Sequence, residues 1–435
     1  MSLDTVFEQI ESVMPARLIG SVVRTEGMTV SATGFPAPIG ALATIAQPAG
    51  RSIRAEVIGF RDNLTLLYSY SDLTGVRPGS RIEMVRTVSW LRVGEELLGR
   101  VVDAFGNPID ELPMPVLPNR SRYDRPCPDA CRRPRIDTVL STGVRAIDGF
   151  LTVGQGQRIG IFAGSGVGKS VTLGMMARNT DADVIVLGLI GERGREVNDF
   201  IERNLGAEGK KKSVVVVSTS NEPALMRVRA AWSAMAIAEY FRDCGKNVLF
   251  LFDSLTRFAM AGREIGLAAG EPPTTRGYPP SVFSQLPKLV ERAGRTDAGS
   301  ITAFMTVLVE GDDQNDPICD AVRGLLDGHI WLSRKLSTRG HYPAIDPIES
   351  VSRLMPDICQ PDHLAAAQKM RRLLGIYAEN EDLINVGAYR VGTNPAIDEA
   401  IAKKPAIDRW LCQSMNESAR FDDSLESMKA VLADC

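Results

Sequence analysis

The chain has 435 residues, too many for a single hydrophobic core, and its length therefore predicts two or three domains. Hydrophobic residues make up 44% and charged residues 24%, as in an ordinary globular protein, and the net charge of −3 gives no support to nucleic-acid binding through a large basic field. No apolar run reaches the roughly 18–20 residues of a membrane span, and the acidic N-terminus does not fit a signal peptide, so we expect a cytoplasmic protein.

The N-terminal part of the chain, residues 1–90, is predicted to be a small β-barrel domain. From Arg17 to Ser89 the sequence consists of short alternating or β-branched runs separated by Gly, Pro and Asn. Residues 91–136 form a linker leading into the core, and its second half is rich in proline. Its cysteines, Cys127 and Cys131, lie far from any histidine, so we interpret them as linker thiols rather than zinc ligands.

Residues 137–356 alternate nearly continuous apolar runs with helical patterns. This alternation predicts an α/β domain built on a mostly parallel sheet with helices on both faces. Residues 357–435 are biased towards helix and are predicted to form a C-terminal helical domain. The predicted strands are RIGIFAG, DVIVLGLI, SVVVVS, NVLFLFD and SITAFMTVLV.

One of these strands ends in the loop AGSGVGKS, Ala163–Ser170, which precedes a predicted helix. A glycine-rich loop in this context lets backbone N–H groups and a helix N-terminus surround phosphate oxygens. Lys169 would reach the β- and γ-phosphates, and the hydroxyl of Ser170 would bind Mg²⁺. The predicted nucleotide-binding residues are Gly164, Ser165, Gly166, Val167, Gly168, Lys169, Ser170 and Val171.

Two further predicted strands end in charged residues at the same edge of the sheet. Asp253 follows NVLFLF and is predicted to bind Mg²⁺, although an aspartate there could also cap a helix. Since Ser254 rather than a glutamate follows it, we assign the general base to Glu192, at the end of another strand. Arg193 would neutralise charge on the γ-phosphate.

Several long motifs resemble the type III secretion ATPases, the branch of the rotary ATPase superfamily that serves flagellar and injectisome export. The resemblance covers nearly the whole chain, and FAGSGVGKS is more similar to the flagellar export ATPases than to the virulence ATPases. The other motifs are GERGRE, LLGRVVDAFGNPID, EPPTTRGYPPSVFSQLPKLVERAG, LVEGDDQNDPICDAVRGLLDGHIWLSRKL, GHYPAIDPIESVSRLMP and LINVGAYRVGTNPAIDEAI.

The resemblance implies a RecA-like P-loop core and further site residues. Arg353 matches the arginine finger that crosses a subunit interface, and Tyr342 matches the aromatic residue that stacks on adenine. The loop Gly270–Pro280 is similar to the segment that faces the central pore. The family pattern for a second adenine contact is altered at Trp410–Gln413, which leaves that contact open.

The resemblance also implies a homohexamer that hydrolyses ATP with Mg²⁺ to unfold and export flagellar proteins. Its expected partners are a stator or regulator, the stalk and export-gate proteins, export substrates and chaperones, with peripheral association at the cytoplasmic face of the inner membrane. Phe7, Ile10, Val13 and Met14 could form a short apolar stripe in the N-terminal segment, which is where flagellar members of the family meet their regulator. The alternatives are an injectisome ATPase, a rotary ATP synthase catalytic subunit and an RNA translocase; no nucleic-acid partner is expected.

Overall fold

The computed structural model describes residues 17–433, apart from 89, 310, 312, 314 and 315. The apolar stripe that includes Phe7 and Ile10 therefore lies outside the described residues. No helix in the described ranges is both long enough and apolar enough to cross a bilayer.

Six strands near the N-terminus of the described chain close into a β-barrel in the order β1-β2-β5-β4-β3-β6. All of its strand pairs are antiparallel, and alternate side chains such as Val30, Ile45 and Leu67 fill the interior. The strands are β1 (Ile19–Glu26), β2 (Thr29–Thr33), β3 (Leu42–Ala46), β4 (Ser52–Arg61), β5 (Leu64–Ser69) and β6 (Arg81–Arg86). The predicted barrel is therefore present.

The central sheet contains nine strands within the described residues, and its long strands are parallel. Along its main path the order is β19-β18-β12-β17-β15-β13-β14-β8, and β16 pairs with β17. The long strands, whose side chains are nearly all buried, are β12 (Arg158–Ala163), β13 (Val184–Glu192), β14 (Ser213–Thr219), β15 (Asn247–Asp253) and β17 (Ser300–Leu308). All five predicted strands are confirmed.

Shorter strands complete this sheet and tie the linker to it. At one edge of the sheet, β8 (Val101–Val102) pairs in parallel with β14. β16 (Gly294–Arg295) pairs antiparallel with β17. At the other edge, β18 (Gly328–Leu332) pairs antiparallel with β19 (Val351–Ser352). Two small sheets pair β7 (Trp90–Val93) with β9 (Asn119–Arg122), and β10 (Val139–Leu140) with β11 (Val153–Gly154). The region 91–136 thus contributes an edge strand to the core.

Helices cover the sheet and form the C-terminal region, as predicted. Within the central region they are Arg145–Phe150, Lys169–Asn179, Gly194–Asp199, Gly206–Lys211, Ala224–Asp243, Leu255–Ala269, Pro280–Val290, Pro317–Leu325, Arg334–Thr338 and Met355–Ile358. At the C-terminus they are Pro361–Asn385, Pro395–Leu411 and Phe421–Ala433. A π-helical turn spans Phe200–Leu205, and 3₁₀ turns span Pro48–Gly50, Glu95–Leu97, Ala130–Arg132 and Thr275–Gly277.

The C-terminal helices pack directly against the start of the central domain. Trp410 is buried edge-on against Phe150, with ring centroids 5.8 Å apart. A Cβ atom on Gly149 would lie 2.5 Å from the Trp410 ring, so only glycine permits this approach. Deeper in the core, the buried guanidinium of Arg292 donates two hydrogen bonds, of 2.6 and 2.8 Å, to the buried carboxylate of Glu239.

Candidate active site

The phosphate-binding loop connects β12 to the helix Lys169–Asn179, as predicted. Gly166 (φ 78°) and Gly168 (φ 94°) adopt left-handed backbone conformations that strongly favour glycine. Val167 is 1% exposed, so its side chain packs into the core and only its backbone can face a phosphate. Val171, at 36% exposure, lies on the wall of the cleft instead. The loop therefore presents backbone N–H groups at the start of a helix.

Lys169, Glu192 and Asp253 form a buried cluster where three parallel strands end. The ammonium of Lys169 donates hydrogen bonds to Asp253 Oδ1 at 2.6 Å and to Glu192 Oε1 at 3.3 Å. The three side chains are only 12%, 15% and 5% exposed, in the order Lys169, Glu192, Asp253. The structure thus brings Lys169 together with two residues that lie 23 and 84 positions after it in the sequence.

The charges of this cluster shift the acid–base properties of its members. Burial by itself lowers the pKa of Lys169, but the carboxylates of Asp253 and Glu192 outweigh it and raise the pKa overall. Burial, followed by the neighbouring Asp253 carboxylate, raises the pKa of Glu192 to about 7 despite the opposing effect of Lys169. Glu192 is therefore poised to accept a proton near neutral pH.

Thr306 is a member of the site that sequence analysis missed. It lies on β17, which separates β12 from β15, and its hydroxyl donates a 2.7 Å hydrogen bond to Asp253 Oδ1. The helix that follows Asp253 is capped by Ser254, whose hydroxyl accepts from the N–H of Arg257. Asp253 is consequently not the helix cap, and its carboxylate is available to Lys169 and Thr306.

A cleft of about 650 Å³ opens above this cluster. The loop residues from Gly164 to Val171 line it, except Val167, together with Glu192 and the exposed, predicted Arg193. Sequence analysis missed Arg257 and Arg334, which also line the cleft. The buried Nε of Arg257 has no hydrogen-bond partner among the described residues, and Arg334 donates to the Ser165 carbonyl at 3.4 Å.

Arg257 had one usable signal in the sequence, its position one helical turn after Asp253. Its close approach depends on Gly191 (φ 75°), where a Cβ atom would lie 2.9 Å from Arg257 Cβ. Arg334 follows β18, and nothing in its local sequence signals a role in the cleft.

Tyr342 lies beside the phosphate-binding loop, 46% exposed. A Cβ atom on Gly168 would be 3.6 Å from two ring carbons of Tyr342, so the tyrosine packs against that glycine. The main-chain N–H of Gln413 donates to the Tyr342 carbonyl at 2.9 Å. The side chain of Gln413, however, accepts from the N–H of Arg145 and donates to the Gly143 carbonyl, and Trp410 is buried in the core. The side chain of Gln413 is thus engaged in hydrogen bonds within the protein, and that of Trp410 in core packing.

Arg353 lies in the bend directly after β19, is exposed and does not line the cleft. Its main-chain N–H donates to the Asp327 carbonyl, while its side chain makes no hydrogen bond or ion pair with the described residues. Arg193 is 82% exposed and lies 3.6 Å from Glu196. In the single chain, Arg193 therefore lies at the cleft and Arg353 does not.

The oxygen donors present fit Mg²⁺. Mg²⁺ binds proteins through one or two hard oxygen ligands and completes its shell with water and substrate phosphates. The hydroxyl of Ser170 at the helix start and the buried carboxylate of Asp253 offer oxygen atoms of this kind close to the loop that is predicted to hold the phosphates. The described residues hold no group of three or more His, Cys, Asp and Glu side chains suited to a metal.

Comparison with known proteins gives the family. Residues 143–352 match the model of the ATP synthase alpha/beta family, nucleotide-binding domain, and residues 359–430 match the T3SS EscN ATPase C-terminal domain. The flagellum-specific ATP synthase of Bacillus subtilis is 49% identical over 433 residues, 99% of each chain. The chain belongs to the ATPase family of type III secretion and flagellar export systems.

Solved structures of this ATPase family agree with the fold. The assembled ATPase EscN from the enteropathogenic E. coli type III secretion system matches with a TM-score of 0.91 at 45% identity, covering 95% of this chain and 100% of that one. Assembled EscN in complex with its central stalk EscO matches with a TM-score of 0.88 at 44% identity, with the same coverage. The predicted family, the RecA-like fold class and an ATP-hydrolysing enzyme are confirmed.

Replacing Thr306 by valine should weaken metal-dependent hydrolysis in this ATPase. Valine keeps the shape of threonine but removes the hydrogen bond that orients Asp253, so we expect turnover to fall about 10- to 100-fold and the required Mg²⁺ concentration to rise. Steady-state hydrolysis measured across a Mg²⁺ titration tests this. Thr306→Ser, which keeps the hydroxyl, should restore both values, and an unchanged Mg²⁺ requirement in Thr306→Val would contradict the positioning role.

The pKa of Glu192 predicts how hydrolysis depends on pH. A raised pKa means that Glu192 is protonated below about pH 7 and cannot accept a proton, so kcat/KM should fall as pH decreases, about tenfold per unit. The measurement is kcat/KM at saturating Mg²⁺ from pH 5.5 to 8.5. A neighbouring carboxyl, Glu196, also raises the pKa of Glu192, so Glu196→Gln should shift the fall in kcat/KM to lower pH. A flat profile down to pH 5.5 would contradict the assignment.

Proposed function

We propose that this chain hydrolyses ATP to drive the unfolding and export of flagellar proteins through a type III secretion apparatus. The observation that carries the proposal is the Lys169–Glu192–Asp253 cluster beneath a phosphate-binding loop, in a chain that matches flagellum-specific relatives over nearly its full length. In this proposal Gly164–Val171 bind the nucleotide and Tyr342 stacks on adenine.

Each charged residue of the site has a chemical role in the proposed reaction. Lys169 binds the β- and γ-phosphates, and Glu192 accepts the proton of the attacking water. Ser170 and Asp253 would hold Mg²⁺, which neutralises charge on the phosphates when bound. Arg193 neutralises charge at the mouth of the cleft, where it is exposed to an incoming γ-phosphate.

Arg353 acts between subunits in this proposal. Its exposed side chain has no ion pair within the described residues and lies outside the cleft of its own chain, which fits an arginine finger that reaches a neighbour. We propose a homohexamer in which each chain supplies both a Lys169 site and a finger. We further propose domain limits at 1–90, 91–136, 137–356 and 357–435, with Gly270–Pro280 facing the central pore.

The proposed partners follow from the relatives. The structure of assembled EscN with its central stalk supports an oligomer and a stalk partner for this chain as well. We also propose a stator or regulator, export-gate proteins, export substrates and chaperones as partners, and no nucleic acid. The proposed location is the cytoplasmic face of the inner membrane, reached through the export apparatus. The likeness to EscN makes an injectisome ATPase the second candidate.

Glu192→Gln tests the function as a whole. Glutamine keeps the shape and hydrogen bonding of glutamate but cannot accept the proton, so turnover should fall at least about 100-fold while ATP still binds. In cells that carry only this variant, secretion of flagellar filament protein should fall as well. Glu208→Gln, at an 85% exposed side chain, is the control and should change neither value. Lost hydrolysis with normal filament secretion, and loss of a virulence substrate instead, would favour the injectisome candidate.

Mixing two inactive chains tests whether Arg353 acts in trans. Arg353→Ala and Lys169→Ala should each be inactive alone, but mixed rings contain interfaces with an intact Lys169 site and an intact finger. Because loss of a finger costs about 1,000-fold or more, a few restored interfaces should give measurable hydrolysis.

Two controls make the mixing experiment decisive. Co-assembly is first checked by light scattering, and a covalently linked ring with one defective subunit shows whether one dead site stalls the others. Full activity of Arg353→Ala at every protein concentration would contradict the finger assignment.

A further inference from the structure

The five-residue helix Arg334–Thr338 contacts both the phosphate-binding loop and the C-terminal helix Pro361–Asn385. Its first residue, Arg334, lines the nucleotide cleft and donates a 3.4 Å hydrogen bond to the carbonyl of Ser165. A helix this short is not stable by itself, so its position depends on the contacts that other elements make with it. The position of Arg334 at the cleft depends on the same contacts.

Glu381 of the helix Pro361–Asn385 makes two of these contacts. Its Oε2 accepts a 2.6 Å hydrogen bond from the ammonium of Lys335, and its Oε1 accepts one of 3.0 Å from Nη1 of Arg339. Lys335 and Arg339 are four positions apart and lie on one side of the helical turn. The Glu381 side chain is 16% exposed, and the hydrogen bond from Lys335 is the main reason that its pKa is lowered. Glu381 is therefore charged at neutral pH and holds both ends of the short helix.

Apolar packing between the two helices is incomplete at this contact. Beside the ion pairs lies a cavity of about 110 Å³, lined by Leu336 of the short helix and by Leu374 and Tyr377 of the helix Pro361–Asn385. Protein interiors are normally close-packed, and side chains that border an unfilled space lose contacts on that side. The position of the short helix therefore depends more on the ion pairs of Glu381 than it would at a closely packed contact.

The residues that follow the short helix are hydrogen-bonded to it and also reach the phosphate-binding loop. The main-chain N–H of His341 donates to the Leu336 carbonyl at 3.1 Å. Tyr342, the next residue, packs against Gly168. Residues 334–342 thus contact the phosphate-binding loop at two places, with Arg334 near the start of the loop and with Tyr342 near its end.

We propose that Glu381 is a positioning residue for the nucleotide site, because it holds the short helix and thereby Arg334 against the phosphate-binding loop. This inference rests on the nucleotide site proposed above. Arg334 places a positive charge beside that loop, where it attracts the phosphates of ATP. Glu381 does not line the cleft, so it acts on the affinity for ATP rather than on proton transfer at Glu192.

Glu381→Gln tests this role by separating the affinity for ATP from turnover. Glutamine keeps the size of glutamate but removes the charge that Lys335 and Arg339 bind, so the KM for ATP and the Kd of a fluorescent ATP analogue should each rise about three- to tenfold. The value of kcat should change less than about twofold, because the groups that contact the reacting atoms are unchanged. Glu379→Gln, at an exposed position of the same helix, is the matched control and should change none of these values. An unchanged KM and Kd in Glu381→Gln, or a fall in kcat alone, overturns the proposal.

A double-mutant cycle with Arg334→Ala shows whether Glu381 acts through that arginine. Arg334→Ala should itself raise the Kd of the analogue about tenfold, and adding Glu381→Gln should then raise it less than about twofold further, because the residue that Glu381 positions is absent. Two effects that multiply in the double variant would be independent of each other, and that result overturns the proposal.

An exchange of charges separates a positioning defect from a folding defect. Lys335→Glu and Glu381→Lys should each weaken binding of the analogue, because each brings like charges together. Combining them restores an opposite pair and should return the Kd to within about threefold of the parent. No recovery in the combined variant, at an unchanged thermal unfolding temperature, overturns the proposal.

Lys169→Ala distinguishes a failure of this inference from a failure of the proposed function. It removes a phosphate contact and should weaken binding of the analogue at least about tenfold. If it does so while Glu381→Gln has no effect, the positioning role alone is wrong. Binding that Lys169→Ala leaves unchanged would place the nucleotide elsewhere and overturn both.

Discussion

The candidate active site of this ATPase depends on one arrangement, an ammonium held between two carboxylates. Lys169, Asp253 and Glu192 are each almost inaccessible to water, and none would be stable there as a lone charge. Lys169 balances the charge of the two carboxylates through its hydrogen bonds to them, which hold its ammonium at the base of the cleft. Burial in the same cluster, followed by the charge of Asp253, raises the pKa of Glu192, which suits the base role proposed for it. The same pairing of charges therefore stabilises these buried groups and sets the acid–base properties that the proposed reaction needs.

The order of the strands makes this arrangement possible. Because β12, β13 and β15 run parallel, their carboxyl ends meet at one edge, and the residues that follow them converge there. β17 lies between β12 and β15, so Lys169 has to reach across the end of that strand to Asp253. A small polar side chain suits that position, and Thr306 both leaves room and supplies a hydrogen bond to Asp253. The strand order thus requires a long side chain at position 169 and favours a small polar one at position 306.

Local patterns were sufficient for much of this structure. The apolar runs predicted all five long strands, and the glycine spacing predicted the loop before Lys169, since these features depend on neighbouring residues alone. Thr306 and Arg334 could not be assigned in this way, because their positions at the site arise from contacts between elements distant in sequence. Trp331 is a further case: it stacks on Phe162 across neighbouring strands, with ring centroids 6.1 Å apart. Such pairings depend on strand order, which sequence patterns do not specify.

The C-terminal region contacts the surroundings of the nucleotide cleft through Gln413, which follows the helix Pro395–Leu411. The N–H of Gln413 holds the carbonyl of Tyr342, whose ring packs against Gly168 of the phosphate-binding loop. The side chain of the same glutamine holds Gly143 and Arg145 at the start of the central domain. A displacement of the helical region by a bound partner would therefore act on the loop and on Tyr342 together. This connection consists of one backbone hydrogen bond and one ring packed against a glycine, so Tyr342 is the residue through which it would carry such a displacement to the loop.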